Sequence, residues 1–594
     1  MISTVTLTAL TVMLFQLKNG ATLRRNLLTE GYSLGKRPQL LTALLLAILA
    51  LPILSYAALI GYIVADIPCW DDFDSILNTM LRTEAANSQF DKLKMLFSFH
   101  NEHRLGILRV TTFLLLKLTG AVNFSSLIIL GNLGLIIVFL SLGALYFERN
   151  NTTRDDSLHR LYALPTLACA SLLIFQPQFY DTPLWPTVLL SNITVVYFSA
   201  FSFLLLATTS TIRTSAAFLL GSLALFSQGN GVVTLPIGLL ILISNRNFKI
   251  VIPWSIGTVA LTSLYFIGFQ KPAESLEISF ERLVQMVDHG LSFLGAGPAF
   301  TNHRMAIVIG LIETATFLAL TIRALKKDRP SIYFFLLFLF LTVGLNCLGR
   351  NTFGPEYVLL QPRYKFLSDL TLGTLIVAVA RELRGSYAKF FSIGALFSSF
   401  CLNVLFYAVN LDNVLEVRDT LLRGAAKWVV KREGLYFPVL EVVVSTIDNS
   451  KAAGIYDLGL KQAAPLICEV SQYDISNEDV ASKTDLYHLD LSLSGNGFKY
   501  LEGWASVNGN PSLWQNVSII LEGDSVSYLC KARSIIRPDV RNALQSPWTL
   551  RTGFAALVPE DKIQRGKYEI LFKIEHGSMK ASAFTGQSVE FGAN

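Results

Sequence analysis

Charge is what this chain has least of. Asp, Glu, Lys and Arg make up 15% of its 594 residues, against roughly 25% in a soluble globular protein, and 52% of the residues are hydrophobic. That balance excludes a soluble globular protein and points to a polytopic membrane protein with a further part attached. The net charge of +6 is too small to call for a nucleic-acid partner. Cysteine is scarce as well. The six present (Cys69, Cys169, Cys347, Cys401, Cys468, Cys530) show no Cys-x-x-Cys spacing, which argues against zinc or iron–sulfur ligation. Cys468 and Cys530 lie in the C-terminal part and would pair only in an oxidising compartment. There is no Walker A motif and no Gly-x-Gly-x-x-Gly between a strand and a helix, so an ATP-driven pump is excluded. Charges inside the apolar runs are rare, with Glu313 the main one, whereas ion-coupled transporters usually need them.

What is present is a series of apolar runs. A helix crosses a bilayer with about 17–25 residues, and such runs begin near Leu40, Phe124, Leu161, Leu189, Ser215, Val232, Val251, Met305, Ile332, Leu367 and Phe391. This predicts about eleven spans. The short apolar start at residues 1–17 runs into a basic stretch and is not read as a cleavable signal peptide. Basic residues cluster in alternate loops: Arg24-Arg25 with Lys36-Arg37, Arg149 to Arg160, Arg213, Arg246 with Lys249, Arg323 to Arg329, and Arg381 to Lys389. The positive-inside rule places that set in the cytoplasm. An odd number of spans then leaves the C-terminal part outside. Residues 105–118 are apolar but short and carry Arg109 and Lys117, so they are read as an interfacial or re-entrant helix. The predicted organisation is a cytoplasmic segment 1–37, a transmembrane domain 38–410 with a large first outer loop 65–123, a helical linker 411–484, and a second domain 485–594. Further outer loops fall at 176–186, 229–231, 270–303 and 347–365.

Chemistry-bearing residues gather in those outer loops. Asp71 and Asp72 follow the first span directly and are flanked by Trp70 and Phe73. Adjacent acids in a loop are commonly just solvated, but beside lipid, partial desolvation raises a carboxylate toward the range of a general base. The run Phe99-His100-Asn101-Glu102-His103-Arg104, if helical, places His100, His103 and Arg104 on one face. That face suits a phosphate, a metal site completed by a carboxylate, or a purely structural cluster. Arg350, Arg363 and Tyr364 sit near the outer face, where they suit a lipid-linked phosphate or simply snorkel to headgroups. Asn230 lies in a break that is either a tight turn or unwound backbone facing a cavity. His289 and His303 are further membrane-proximal polar residues. No particular cofactor is indicated, and a divalent cation is left open.

From about residue 486 the pattern changes to short alternating runs separated by turns rich in Gly, Asn, Asp and Pro. That predicts an antiparallel β-sandwich. Trp504, Trp514 and Trp548 could stack on sugar rings, although Trp504 also fits a core position on an alternating strand. Residues 415–431 read as an amphipathic helix lying on the membrane or leading away from it.

On the acidic pair Asp71-Asp72, the Asn101-Glu-His-Arg104 stretch and the Arg363-Tyr364 pair, the chain resembles the GT-C superfamily of integral-membrane glycosyltransferases, most of all bacterial members. The resemblance covers roughly residues 38–410. It implies a multi-pass enzyme of a bacterial cytoplasmic (inner) membrane, using a polyprenyl-phosphate-linked sugar as donor and a cell-envelope glycan or glycolipid as acceptor. Asp71 or Asp72 would be the base, and Arg350, Arg363 and His100, His103 or Arg104 would neutralise the departing phosphate. Glu102, Asn230, His289, His303 and Trp504 are candidate substrate contacts. A glycan ligase, a flippase or polysaccharide transporter, and a non-catalytic envelope scaffold are the competing expectations.

Overall fold

The computed structural model describes residues 37–148, 156–208, 210–270, 279–325, 330–350, 353–475, 486–506, 516–545, 551–576 and 579–592. Among these, seven helices are long and apolar enough to cross a membrane: Thr42–Ile63, Phe124–Phe147, Pro186–Leu206, Phe248–Phe266, His303–Ala324, Ser331–Arg350 and Gly385–Lys431. Shorter apolar helices occupy Tyr162–Ile174, Thr211–Leu225 and Gly229–Ser244, and Pro362–Glu382 is a longer helix with charges near both ends. All eleven apolar runs therefore fall on helices, but seven meet the length and composition of a span. The chain is consistent with a multi-pass membrane protein. A helix suits that setting because it satisfies its own backbone hydrogen bonds where no water can.

The bundle has an inside and an outside. Phe124–Phe147 and Pro186–Leu206 are more than half buried, whereas Thr42–Ile63, Phe248–Phe266 and Gly385–Lys431 are about 17% buried. The two inner helices approach closely because Gly131 and Gly134 have no side chain. A methyl at those positions would lie 2.6 Å from Leu189 and 2.7 Å from Ile193. Small residues let apolar helices pack by dispersion where lipid removes the hydrophobic drive.

The segment between the first two long apolar helices is built from short pieces: a π-helical turn Phe73–Asn78, helices Thr79–Ala85 and Gln89–Leu96, two short strands, and helix Gly106–Thr119. The stretch expected as a helix at residues 99–104 is instead a β-hairpin. Phe99–His100 pairs antiparallel with His103–Arg104, and Asn101 takes φ +50° at the turn. Asn tolerates that left-handed conformation better than most residues, which a helix-period argument overlooks. Helix Gly106–Thr119 has 14 residues, about 21 Å at 1.5 Å each, well short of the roughly 30 Å hydrocarbon core.

Two domain boundaries differ from expectation. Residue 410 is no break, because one helix of 47 residues runs from Gly385 to Lys431, about 70 Å. Its environment changes there instead. Phe390, Phe397, Phe400 and Val409 are exposed on the first half, while Leu421, Leu422, Ala425 and Trp428 are buried on the second. It ends at Arg432, in the left-handed region, with the Arg432 N–H bonded to Trp428 O. The β region also starts earlier than 485, since Val470–Tyr473 pairs with Ser527–Lys531.

That C-terminal region holds two sheets, one of five strands and one of four. Val517, Ile519, Phe572 and Ile574 from the first share an apolar core with Leu501, Phe554 and Ala556 from the second. Cys468 and Cys530 are free thiols buried in this core. Trp504 is half-buried and shares strand parity with Tyr500 and Glu502, which face away from that core toward the long helix. Trp504 is thus not a core residue of the two sheets. Trp514 and Trp548 lie outside the described residues.

Glu502 ties the sheets to the long helix. It accepts from Arg423 at 2.8 Å, Lys427 at 3.0 Å and Tyr500 at 2.7 Å. Burial works against its ionised form, but the two cations prevail and hold its pKa down at about 2. Glu502→Ala would leave two half-buried cations without their carboxylate. We expect a loss on the order of 3 kcal/mol, read as faster hydrogen exchange across strand Phe498–Ser506 and helix residues 420–430, with the inner helices unchanged.

Candidate functional site

The site begins where the first span ends. The chain leaves helix Arg37–Ile63 and turns sharply at Trp70, whose φ is +46°. The Trp70 N–H is held by Tyr436 O at 2.9 Å. This turn separates the fates of the two aspartates. Asp72 is fully buried. One of its oxygens accepts from Thr187 N–H at 3.1 Å and Thr187 Oγ1 at 2.6 Å, and the other from Cys69 N–H at 3.1 Å. Thr187 opens helix Pro186–Leu206 behind a proline that has no N–H to offer. Asp72 thus serves a helix N-terminus, where unsatisfied donors and the helix dipole favour a carboxylate. The expectation that either aspartate could be a water-facing base is corrected on this point. Asp72 is an internal tie, and Asp71, with its side chain 43% exposed, is the one that faces water.

His100 lies between Asp71 and Asp74, at 3.8 Å and 3.2 Å from their oxygens. Burial opposes its charge, but the two carboxylates outweigh burial and push it up to about 9. His100 is therefore a cation at neutral pH, already engaged by acids. His103 stands opposite it in the hairpin and is buried. Burial, Arg350 and His100 hold its pKa below the usual histidine range despite Glu102 nearby, so it is neutral. Arg104 donates to the carbonyls of Tyr265, Phe97 and Ile267 and stacks over Phe99 at 4.2 Å. Three of its five N–H donors are spent on fixing the hairpin to the end of helix Phe248–Phe266. The expected phosphate-binding face of His100, His103 and Arg104 is therefore not formed. A helix would have aligned them, whereas the hairpin sends Arg104 to one side and the histidines to the other.

The remaining candidates divide into two groups. Arg350 is 3.5 Å from Glu102 and a third exposed. Asn230 donates to Thr342 at 3.2 Å, and buried His289 contacts Asn346 at 2.9 Å. These two are tied to helix Ser331–Arg350 rather than to the Asp71 loop. His303 contacts Asp288 at 2.8 Å. Arg363 belongs with Asp71. Its guanidinium lies 5.8 Å from the Trp185 ring and 5.3 Å from Tyr364, and donates to Tyr357 Oη at 2.7 Å. Trp185 in turn lies 6.2 Å from Trp70, the chain neighbour of Asp71.

Sequence reasoning missed Asp181, Trp185 and Tyr436. Asp181 acts electrostatically on Arg363, Lys365 and Cys69, and so does Asp71 on Cys69. Burial raises Asp181 to about 6 against the opposing Thr182 bond and Arg363 charge. Its loop is fixed from three sides: Gln176 donates to Asp369 at 2.8 Å, Gln178 to Gly297 O at 2.7 Å, and Asn132 to Pro183 O at 3.1 Å. An acid in the 176–186 outer loop was the available signal. Among the described residues no group of three or more His, Cys, Asp or Glu is placed to hold a metal ion. Compared with known proteins, the chain matches no family model and no curated protein.

These shifts set a pH dependence. Asp72 is raised to about 7 by burial, against hydrogen bonds that lower it, so the folded state holds its proton more tightly than the unfolded chain does. Stability falls as pH rises from about 4 to about 7. His100, also raised, adds stability below about 6.5 that is lost as pH rises through about 9. We expect the unfolding temperature to drop across both windows. Asp72→Asn should flatten mainly the first and His100→Gln mainly the second, measured by scanning fluorimetry in detergent.

Proposed function

We propose that the chain is a membrane glycosyltransferase that moves a sugar from a polyprenyl-phosphate donor to a cell-envelope glycan or glycolipid on the outer face of a bacterial cytoplasmic membrane. One observation carries this. A half-exposed carboxylate, Asp71, and a guanidinium, Arg363, are linked by a chain of ring contacts, Arg363 lying 5.8 Å from the Trp185 ring and Trp185 lying 6.2 Å from Trp70, the chain neighbour of Asp71. That is the pairing needed to activate a water-soluble nucleophile and to stabilise a lipid-borne anion. The lipid part of the donor stays in the membrane, and membrane lipid surrounds the apolar helices.

Asp71 takes the proton of the acceptor hydroxyl as its oxygen attacks the anomeric carbon. The bond from that carbon to the phosphate oxygen breaks, and its electron pair leaves with the phosphate. Arg363 meets the charge that develops there, with Arg350 at the far side of the hairpin. Electrostatic stabilisation of this kind is often the largest part of catalysis. A single displacement inverts the anomeric centre. His100⁺ holds Asp71 in place without lying between it and water. In this reading all eleven helical runs cross, the basic loops face the cytoplasm, and the two sheets form a β-sandwich outside that presents the acceptor.

A second reading draws on Glu313. It is 3% exposed, lies midway along candidate span His303–Ala324, and neither of its carboxylate oxygens has a hydrogen-bond partner among the described residues. A buried acid there suits a carrier of lipid-linked glycan coupled to a cation.

Purified protein in nanodiscs, given a panel of polyprenyl-phosphate sugars and envelope glycans, separates the two. We expect Asp71→Asn to lower kcat by about 100-fold or more, and Arg363→Ala to lower kcat/KM for the donor by a comparable factor. Unchanged transfer in Asp71→Asn would remove the base. Translocation of lipid-linked glycan without transfer, abolished by Glu313→Gln, would establish the second reading.

A further inference from the structure

Beside Asp71, the aromatic corner of Trp70, Tyr436 and Trp185 contains polar and apolar surface that the transfer step does not use. Trp70 is 37% exposed and Tyr436 38% exposed, unusual for large rings packed 4.8 Å apart. Their mutual geometry is fixed. The Trp70 N–H bonds Tyr436 O, and the Trp70 backbone is held at φ +46°. A bulky residue in that conformation is strained by on the order of 1–3 kcal/mol and persists only where its surroundings impose it. Trp185 completes the corner. It is 6% exposed, yet among the described residues its indole N–H has no hydrogen-bond partner. A buried donor left unmade costs about 1–3 kcal/mol, so an acceptor brought to this group would be favoured.

We propose that this corner is the acceptor-sugar subsite: a pyranose ring of the acceptor rests its C–H face on Trp70 and Tyr436 and accepts a hydrogen bond from Trp185 Nε1 through one hydroxyl. The proposal rests on the glycosyltransferase reading. The C–H face of a pyranose carries partial positive charge and is apolar, which matches the electron-rich face of an indole or phenol. Its hydroxyl rim supplies the acceptor that the Trp185 N–H lacks. The corner serves acceptor rather than donor for two reasons. Trp70 is bonded to Asp71 in sequence, so a sugar stacked there puts a hydroxyl at the base. Tyr436 comes from the segment after the long helix, which packs back onto the loop carrying Asp71 through Phe437 against Phe73 and Thr446 against Asn78. Arg363, 5.8 Å from the Trp185 ring, is left for the donor phosphate.

Three variants of the full chain in nanodiscs test this: Trp70→Ala, Trp70→Phe and Trp185→Phe. Trp185→Phe keeps the ring and deletes only the N–H. We expect Trp70→Ala and Trp185→Phe each to raise the acceptor KM about 10-fold, with donor KM unchanged and Trp70→Phe close to the parent. A rise in donor KM alone, or an unchanged acceptor KM in both, overturns the subsite. Saturation-transfer NMR with methyl hexopyranosides reads the same site without catalysis. Binding that disappears in Trp70→Ala and weakens in Trp185→Phe, in a protein that transfers nothing, would keep the sugar site and discard the transferase reading. Absence of glycoside binding to the parent protein, with folding intact, discards the subsite whatever the enzyme assay gives.

Discussion

The buried carboxylate of Asp72 fixes where the first outer loop meets the inner bundle. It satisfies the N-terminal donors of helix Pro186–Leu206 and the turn at Cys69 with one side chain. A charge-capable group with no exposure survives only when its lone pairs are all answered. Here three donors from two chain segments answer them. Because that tie is internal, its neighbour Asp71 must point the other way, toward His100 and water. The orientation of the exposed acid is thus a consequence of the buried one. The same tie brings Trp185, at the mouth of that helix, beside Trp70.

Most other polar groups in the outer loops are likewise engaged. Arg104 is absorbed by three carbonyls, and Arg109, fully buried, by Ser75 O and Ser98. His100 is held by two acids. Such allocations keep irregular backbone satisfied at the edge of a bundle where water is scarce. They also sharpen the site by subtraction. Among what stays available are a half-exposed carboxylate, an arginine framed by rings, and an indole N–H without a partner among the described residues.

The C-terminal sheets are coupled to this place by the long helix. Its apolar first half suits lipid, its second half carries Asp419, Arg423 and Lys427 into the sheets, and the chain then returns to Tyr436 against Trp70. A sheet region fixed to the same helix that ends at the site is held to it rather than acting as a free module.

The apolar runs, the switch to alternating short strands and the richness of the first outer loop in acids, histidines and arginines were legible along the chain, because hydrophobic period and local composition act over a few residues. So were Asp71 and Arg363 as charged groups beside apolar runs. The sequence could not say which aspartate faces water, since that depends on Thr187, 115 residues away from Asp72. Nor could it say that residues 99–104 turn back as a hairpin, because the turn is stabilised by Arg104 reaching the end of a helix more than 160 residues later. By itself, then, the sequence determined the helices, the strands and the supply of reactive groups. Which of those groups are spent on structure and which are left for a substrate was decided only by tertiary packing, because satisfying a buried polar group requires partners that are distant in the chain.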